Sequence, residues 1–174
     1  MKFFKKLFLV FFILIIYQNK VLADTPYFLD FKLILNESEA GKKAQKYLKN
    51  KLENGIKNLK SKEKKLLEEE KKIISQKKIL APEEYKKKVS DLRSKVSKLQ
   101  QDRNTLLETV AKQRSKARNE LLKNLNPLIQ DYMNKKKIRM VVDKKSLLLA
   151  DENLDLTKKI IERLNKKLKS IKLN

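Results

Sequence analysis

Lysine is the side chain with the most chemistry to offer here. The 174 residues carry 44 Lys or Arg against 21 Asp or Glu, a formal charge of +23. Only six of those cations are Arg, so most are flexible point charges, not planar forks that grip one carboxylate or phosphate in one geometry. Such groups attract an anionic partner without fixing it. The residue types that catalysis draws on are scarce. There is no His and no Cys, which removes the neutral-pH proton shuttle, the thiol nucleophile and any disulfide framework. The only glycines are Gly41 and Gly55, so no Gly-rich phosphate cradle exists, and neither G-x-S-x-G nor a two-metal acid cluster appears. Asp143 and Asp155 are isolated carboxylates suited to turns and caps, since two of them do not make a calcium loop. An enzyme is not expected, and neither a cofactor nor a metal.

The charge is unevenly placed. Residues 42–129 hold 26 Lys or Arg and 11 Asp or Glu, a net of +15, whereas residues 24–41 come to −3 and residues 130–174 to +7. Lys57, Lys60, Lys64, Lys71, Lys72, Lys86, Lys87 and Lys88 are the candidates for electrostatic capture of an acidic partner. The competing reading is a solvated surface in a Lys-biased proteome. A nucleic-acid binder would also be basic. Against a physiological nucleic-acid role stand the few Arg for bidentate base reading, the few aromatics for stacking and a secretory leader.

That leader is residues 1–23. Lys2, Lys5 and Lys6 precede an unbroken apolar run over residues 7–17, and Val21-Leu22-Ala23 offers small residues before a cut. This is the layout of a cleaved signal peptide, and the run is short of the roughly 20 residues of a membrane anchor. The mature protein would start at Asp24 and carry +19.

The elements that position the lysines read as two long helices. Leu52, Leu59, Leu66, Ile73 and Leu80 recur every seven residues. After Ala81-Pro82-Glu83-Glu84, where Pro and acids suit a helix start, Tyr85, Val89, Leu92, Val96, Leu99, Leu106, Val110 and Ala117 alternate spacings of four and three. Arg103 and Gln113 interrupt that second seam, and Gly55 weakens the first helix. The spacing predicts an antiparallel coiled-coil hairpin over 39–129, each arm roughly 60 Å long at 1.5 Å per residue. Seam residues glue the helices. Leu67, Ile74, Ile79 and Leu107 lie off the seam and are the candidate apolar contacts to a bound partner, while Tyr47, Tyr85 and Tyr132 are placed to pack. Pro127, inside LLKNLNPLIQDYM, is the candidate hinge.

Flanking the hairpin, residues 24–38 and 130–174 make a body. Residues 27–35 (YFLDFKLIL) suit a short buried strand entering a turn, with Asn36 or Ser38 opening the first long helix. Residues 138–142 and 147–150 read as two more strands. Asp155 or Thr157 would cap a last helix carrying Leu156, Ile160, Ile161, Leu164 and Leu168. A body of about sixty residues buries too little to be secure alone, and sharing strands between subunits would close its edges.

Three segments carry a resemblance: YFLDFKLILNESEAGKKA, the hairpin with LAPEEYKKK at its tip, and KKIRMVVDKKSLLLADENLDLTKKIIERLN. Over essentially the whole mature sequence the chain resembles the periplasmic chaperones of the Skp/OmpH family. The resemblance implies an α+β, mostly α protein, with a helical hairpin tentacle on a small β-strand body and a jellyfish-like homotrimer. It implies an ATP-independent holdase that keeps unfolded outer-membrane proteins from aggregating in the periplasm. Lipopolysaccharide or an anionic membrane surface is a further candidate partner. Ala81 departs from the pattern, where a Ser would cap better. The alternative is a structural envelope coiled-coil protein.

Overall fold

Ser38 and Pro82 decide where the two long helices begin. The Ser38 hydroxyl is fully buried and accepts the Gly41 N–H at 3.2 Å, and such a cap contributes about 1 kcal/mol. Pro82 starts the second helix, where its missing N–H costs nothing, and Glu83 and Glu84 sit at the positive end. Ala81 contributes no side-chain cap; its carbonyl accepts the Tyr85 N–H at 3.0 Å.

The computed structural model describes residues 25–173; the signal segment expected over residues 1–23 lies outside them. In chain order the elements are β1 (Tyr27–Leu29), α1 (Phe31–Glu37), α2 (Glu39–Ser75), α3 (Pro82–Lys136), β2 (Val141–Asp143) and α4 (Thr157–Lys167), with 3-10 turns at Lys144–Ser146 and Glu152–Leu154. At 1.5 Å per residue, α2 is about 55 Å long. It stops at Ser75, five residues before the last seam leucine, and two N–H groups, of Ile79 and Leu80, close the turn on the Gln76 carbonyl. The other helix, α3, runs on through Pro127 and past residue 129 without a linker. It ends at Lys137, whose left-handed backbone (φ 55°) donates to the Asn134 and Met133 carbonyls.

The body departs from expectation in two places. The short strand expected to open residues 27–35 ends at Leu29, and where a turn was expected Phe31–Glu37 is a helix. Asp30 causes the switch: its carboxylate accepts the Leu33 N–H at 2.7 Å and its carbonyl accepts the Ile34 N–H at 2.9 Å. Phe31, Ile34 and Leu35 then turn one apolar face to the core. Of the two later strands, the first is confined to Val141–Asp143, and residues 147–150 form none. Within one chain there is no free side of β1 for them. It pairs in parallel with β2 in the register Tyr27↔Val141, Phe28↔Val142, Leu29↔Asp143, and its other side bridges Phe28 to Asp155. Leu148 and Leu149 consequently stand 102% and 95% exposed.

Asp155 does open α4, accepting the Thr157 N–H at 2.8 Å. The Thr157 hydroxyl is used elsewhere, accepting the Asp30 N–H at 2.9 Å, so one buried threonine ties the end of β1 to the start of α4.

Two apolar clusters follow from this arrangement. One joins β1, α1, α4 and the base of α3 through Leu29, Ile34, Leu121, Leu125, Leu156, Ile160 and Leu164. The second lies at the root of the hairpin, around Ala44, Leu48, Val110, Ala117 and Leu173. Gly41 lets α1 meet α2, because a Cβ there would fall 2.0 Å from the Leu35 carbonyl oxygen.

Candidate functional site

The arm formed by α2 and α3 carries most of the side chains the sequence singles out. Its seam is unequal along its length. Near the root, Leu48, Val110 and Ala117 are buried, and Leu106 packs directly on α2 at Gly55, where a Cβ would lie 2.5 Å from its Cδ2. That close approach gives Gly55 a use beyond its cost to the helix. Farther out Leu59 and Ile73 remain buried, Leu66, Leu92 and Leu99 are half-buried, and Val96 is exposed.

Where the apolar seam thins, ion pairs cross it. Lys62 meets Asp102 at 2.6 Å, Lys95 meets Glu69 at 2.6 Å and Arg103 meets Glu63 at 3.9 Å. Arg103, which interrupts the second seam in the sequence, thus has a partner in Glu63 on the facing helix. The Lys62 hydrogen bond holds the Asp102 carboxyl below the usual carboxylate range, helped by the charges of Lys62 and Lys98 against a smaller opposing effect of burial. All three pairs are solvent-exposed to a large degree, so they add little to stability and chiefly fix register.

Leu67, Ile74, Ile79 and Leu107 are all exposed, by 53%, 59%, 83% and 54%. The structure brings only the first two together. They border a groove of about 690 Å³ between the outer halves of the arm helices, floored by Leu66, Ile73, Tyr85, Val89, Leu92 and Leu99. Ile79 belongs to the tip and Leu107 to the middle of α3, away from that groove.

Of the eight candidate lysines, all but the half-buried Lys88 are exposed; Lys88 reaches Gln76 at 3.3 Å across the tip and Glu84 at 3.7 Å one turn back on its own helix. The remaining seven form no ion pair among the described residues. Their spacing on α2 joins the candidate lysines to two of the candidate apolar contacts. Lys57, Lys60, Lys64, Leu67, Lys71 and Ile74 follow steps of three and four, so they form one stripe on one helix face. The stripe is basic toward the root and apolar toward the groove. Its signal was present in the sequence, but charged and apolar candidates have to be placed on one helical wheel to see it.

The aromatic expectations divide. Tyr132 is buried with the Arg163 guanidinium 4.8 Å from its ring centroid, and Tyr85 is half-buried in the groove floor. Tyr47 does not pack into a core; it is 39% exposed beside the Lys51 ammonium. Asp143 accepts from the Lys145 N–H at 3.2 Å and pairs with its ammonium, a turn duty like that of Asp155. Among the described residues there is no acidic cluster that could hold a metal ion, and no helix is long and apolar enough to cross a membrane.

Comparison with known proteins adds two findings. A family model described as outer membrane protein (OmpH-like) matches residues 27–164. A crystal structure reported for a candidate OmpH-like outer membrane chaperone of Caulobacter crescentus CB15 is similar with a TM-score of 0.78. It is 20% identical over 90% of this chain and 94% of that chain, a likeness of fold. No curated protein sequence matches significantly.

Proposed function

The chain belongs to the OmpH-like outer membrane protein family, and from that premise we propose that it is an ATP-independent periplasmic holdase chaperone for unfolded outer-membrane proteins. The observation that carries the reading is the stripe on α2, where four exposed lysines alternate with Leu67 and Ile74 beside an apolar groove. An unfolded barrel protein offers acidic and apolar segments in irregular order. A surface with both characters, built from long flexible cations, holds such a chain by many weak contacts and leaves it unfolded.

The sequence of events starts with export by a cleaved signal over residues 1–23. Three subunits then assemble through the body (residues 24–38 and 130–174), supported by the unpartnered apolar residues Leu148 and Leu149 and the open edge of β2. Three arms (residues 39–129) enclose the client. Lys57, Lys60, Lys64, Lys71, Lys72, Lys86, Lys87 and Lys88 capture it, Leu67, Ile74, Ile79 and Leu107 touch its apolar segments, and Pro127 is the hinge at the arm base. The same cations suit lipopolysaccharide or an anionic membrane surface. No catalytic step is involved, and release follows when folding of the client in the membrane becomes the more favourable state.

Light scattering of the purified protein combined with an aggregation assay tests this. A trimer that suppresses aggregation of a denatured outer-membrane barrel without nucleotide is the expected result. A folded monomer at low micromolar concentration would refute the assembly. A trimer with no effect on aggregation would leave the chain a structural envelope coiled coil.

A further inference from the structure

The segment after α4 lies beyond the residues the family model matches, which end at 164. It does not trail away from the fold. Residues 168–173 turn back across the hairpin root, with the Leu168 N–H bonded to the Leu164 carbonyl at 2.7 Å. Leu173 is 4% exposed and sits among Ala44, Leu48, Val110 and Ala117, where two alanines leave room for it between the arm helices. Ile171 packs on both apolar clusters, the one residue among those described that does so. Two polar contacts pin the segment: the Gln113 side-chain amide donates to the Leu173 carbonyl, and the Lys169 ammonium reaches Glu39 at 3.1 Å, at the first turn of α2. Gln113 is the polar residue that breaks the α3 seam, and this segment is what it bonds.

We propose that residues 168–173 are a strap that fixes the stance of the arm on the body. The arm is a lever roughly 50 Å long anchored at its base. A contact there that bridges the body cluster, the N-terminus of α2 and the middle of α3 restrains the swing of the whole lever, because small displacements at the root are multiplied at the tip. The body and the arm would otherwise be joined through the base of α3 around Pro127, the α1–α2 corner and the bond from the Glu39 N–H to Asn165 at 2.8 Å. The strap therefore stiffens the arm at its root and limits how far the arms open. That mechanical role stands without a client; the consequence that it sets the largest client accommodated rests on the holdase reading.

The chain has no Cys, so spin labels can be placed at two introduced cysteines, Lys158→Cys on α4 and Lys60→Cys on α2, in labelled subunits diluted into unlabelled protein. With the strap intact the distance distribution should be narrow. Leu173→Lys, at the strap residue that packs on the root cluster, should broaden it, and amide exchange near Leu48 and Val110 should speed by about tenfold while Ile160 and Leu164 stay protected. The conservative Leu173→Met should keep the narrow distribution. An unchanged distribution in Leu173→Lys would overturn the strap. So would equal loss of protection at Ile160 and Leu164, which would mean the segment merely stabilises the body. If the arms loosen and the range of client sizes held does not change, the consequence for clients is wrong while the strap and the holdase reading both stand.

Discussion

Reversing charge on the arm separates electrostatic capture from a merely solvated surface. Lys57, Lys60, Lys64, Lys71, Lys86 and Lys87 are exposed and form no ion pair among the described residues, so replacing them with Glu breaks no salt bridge of the arm. Each change moves the arm by two charges, and six take residues 42–129 from +15 to +3. Four of the six lie on the α2 stripe, which would change from uniformly basic to uniformly acidic between its apolar positions. Steering by a field of one sign raises association rates by about 10 to 1,000-fold. Stopped-flow mixing with an acidic unfolded barrel protein at low salt should therefore show capture at least about tenfold slower for the variant, with a smaller effect on dissociation. As ionic strength rises from about 0.01 to 1 M the screening length falls from about 30 to 3 Å, and the wild-type rate should fall toward that of the variant. Lys158, Lys159 and Lys166 on α4, changed to Glu together, are the control for location and should leave the rate nearly unchanged. Equal capture rates for wild type and the six-residue variant at low salt would refute the reasoning, as would an equal loss from the α4 control.

Other expectations concern the arm and its base. Leu59→Asp places a carboxylate at a seam position only 9% exposed and should cost about 3 kcal/mol or more, seen as lost helicity and a lower melting temperature. Leu67→Asp on the open stripe should stay within about 0.5 kcal/mol of wild type in the same melts. Gly41→Ala drives a Cβ to 2.0 Å from the Leu35 carbonyl oxygen and should destabilise by about 2 kcal/mol, measured by urea unfolding, whereas at Gly55 the clash is with the mobile end of Leu106 and should cost less. Asp102 has a lowered folded-state pKa, so its contribution is fully present above the ordinary Asp value of about 4 and is lost only as pH falls below it. Exchange protection of the middle arm should thus be flat from about pH 8 to 5, fall at lower pH in wild type, and lack that acid-dependent part in Asp102→Asn.

The hairpin was legible because its signals are local and repeated: heptads on both sides of one Pro-Glu-Glu start, each enforced by the helix period. The body was harder. Residues 27–35 are apolar enough for strand or helix, and the deciding group is Asp30, whose carboxylate closes a helix turn after only three strand residues. Residues 147–150 have strand composition without a neighbour, and composition does not supply a pairing partner within one chain. The stripe on α2 was readable in principle from spacing. The fit of Leu173 between Ala44 and Ala117 was not, since it joins residues some sixty and 130 positions apart through a tail with no periodicity of its own.

The parallel pairing of β1 with β2 bears on how the chain reaches its fold. Tyr27 meets Val141 across 113 residues of intervening chain, and closing a flexible loop of that length costs about 4 kcal/mol in chain entropy beyond a constant. In a chain made from its N-terminus, the first strand waits for its neighbour until nearly everything else exists. The hairpin shortens that wait in a physical sense. Once α2 and α3 have zipped to their root, the effective loop is only about thirty residues, and the closure cost drops by about 1 kcal/mol. Formation of local helix pairs is fast, and pairing of distant strands is slow. The arm is thus also the route by which the two ends of the body find each other, and a lesion far out on it is expected to delay closure of strands it never touches.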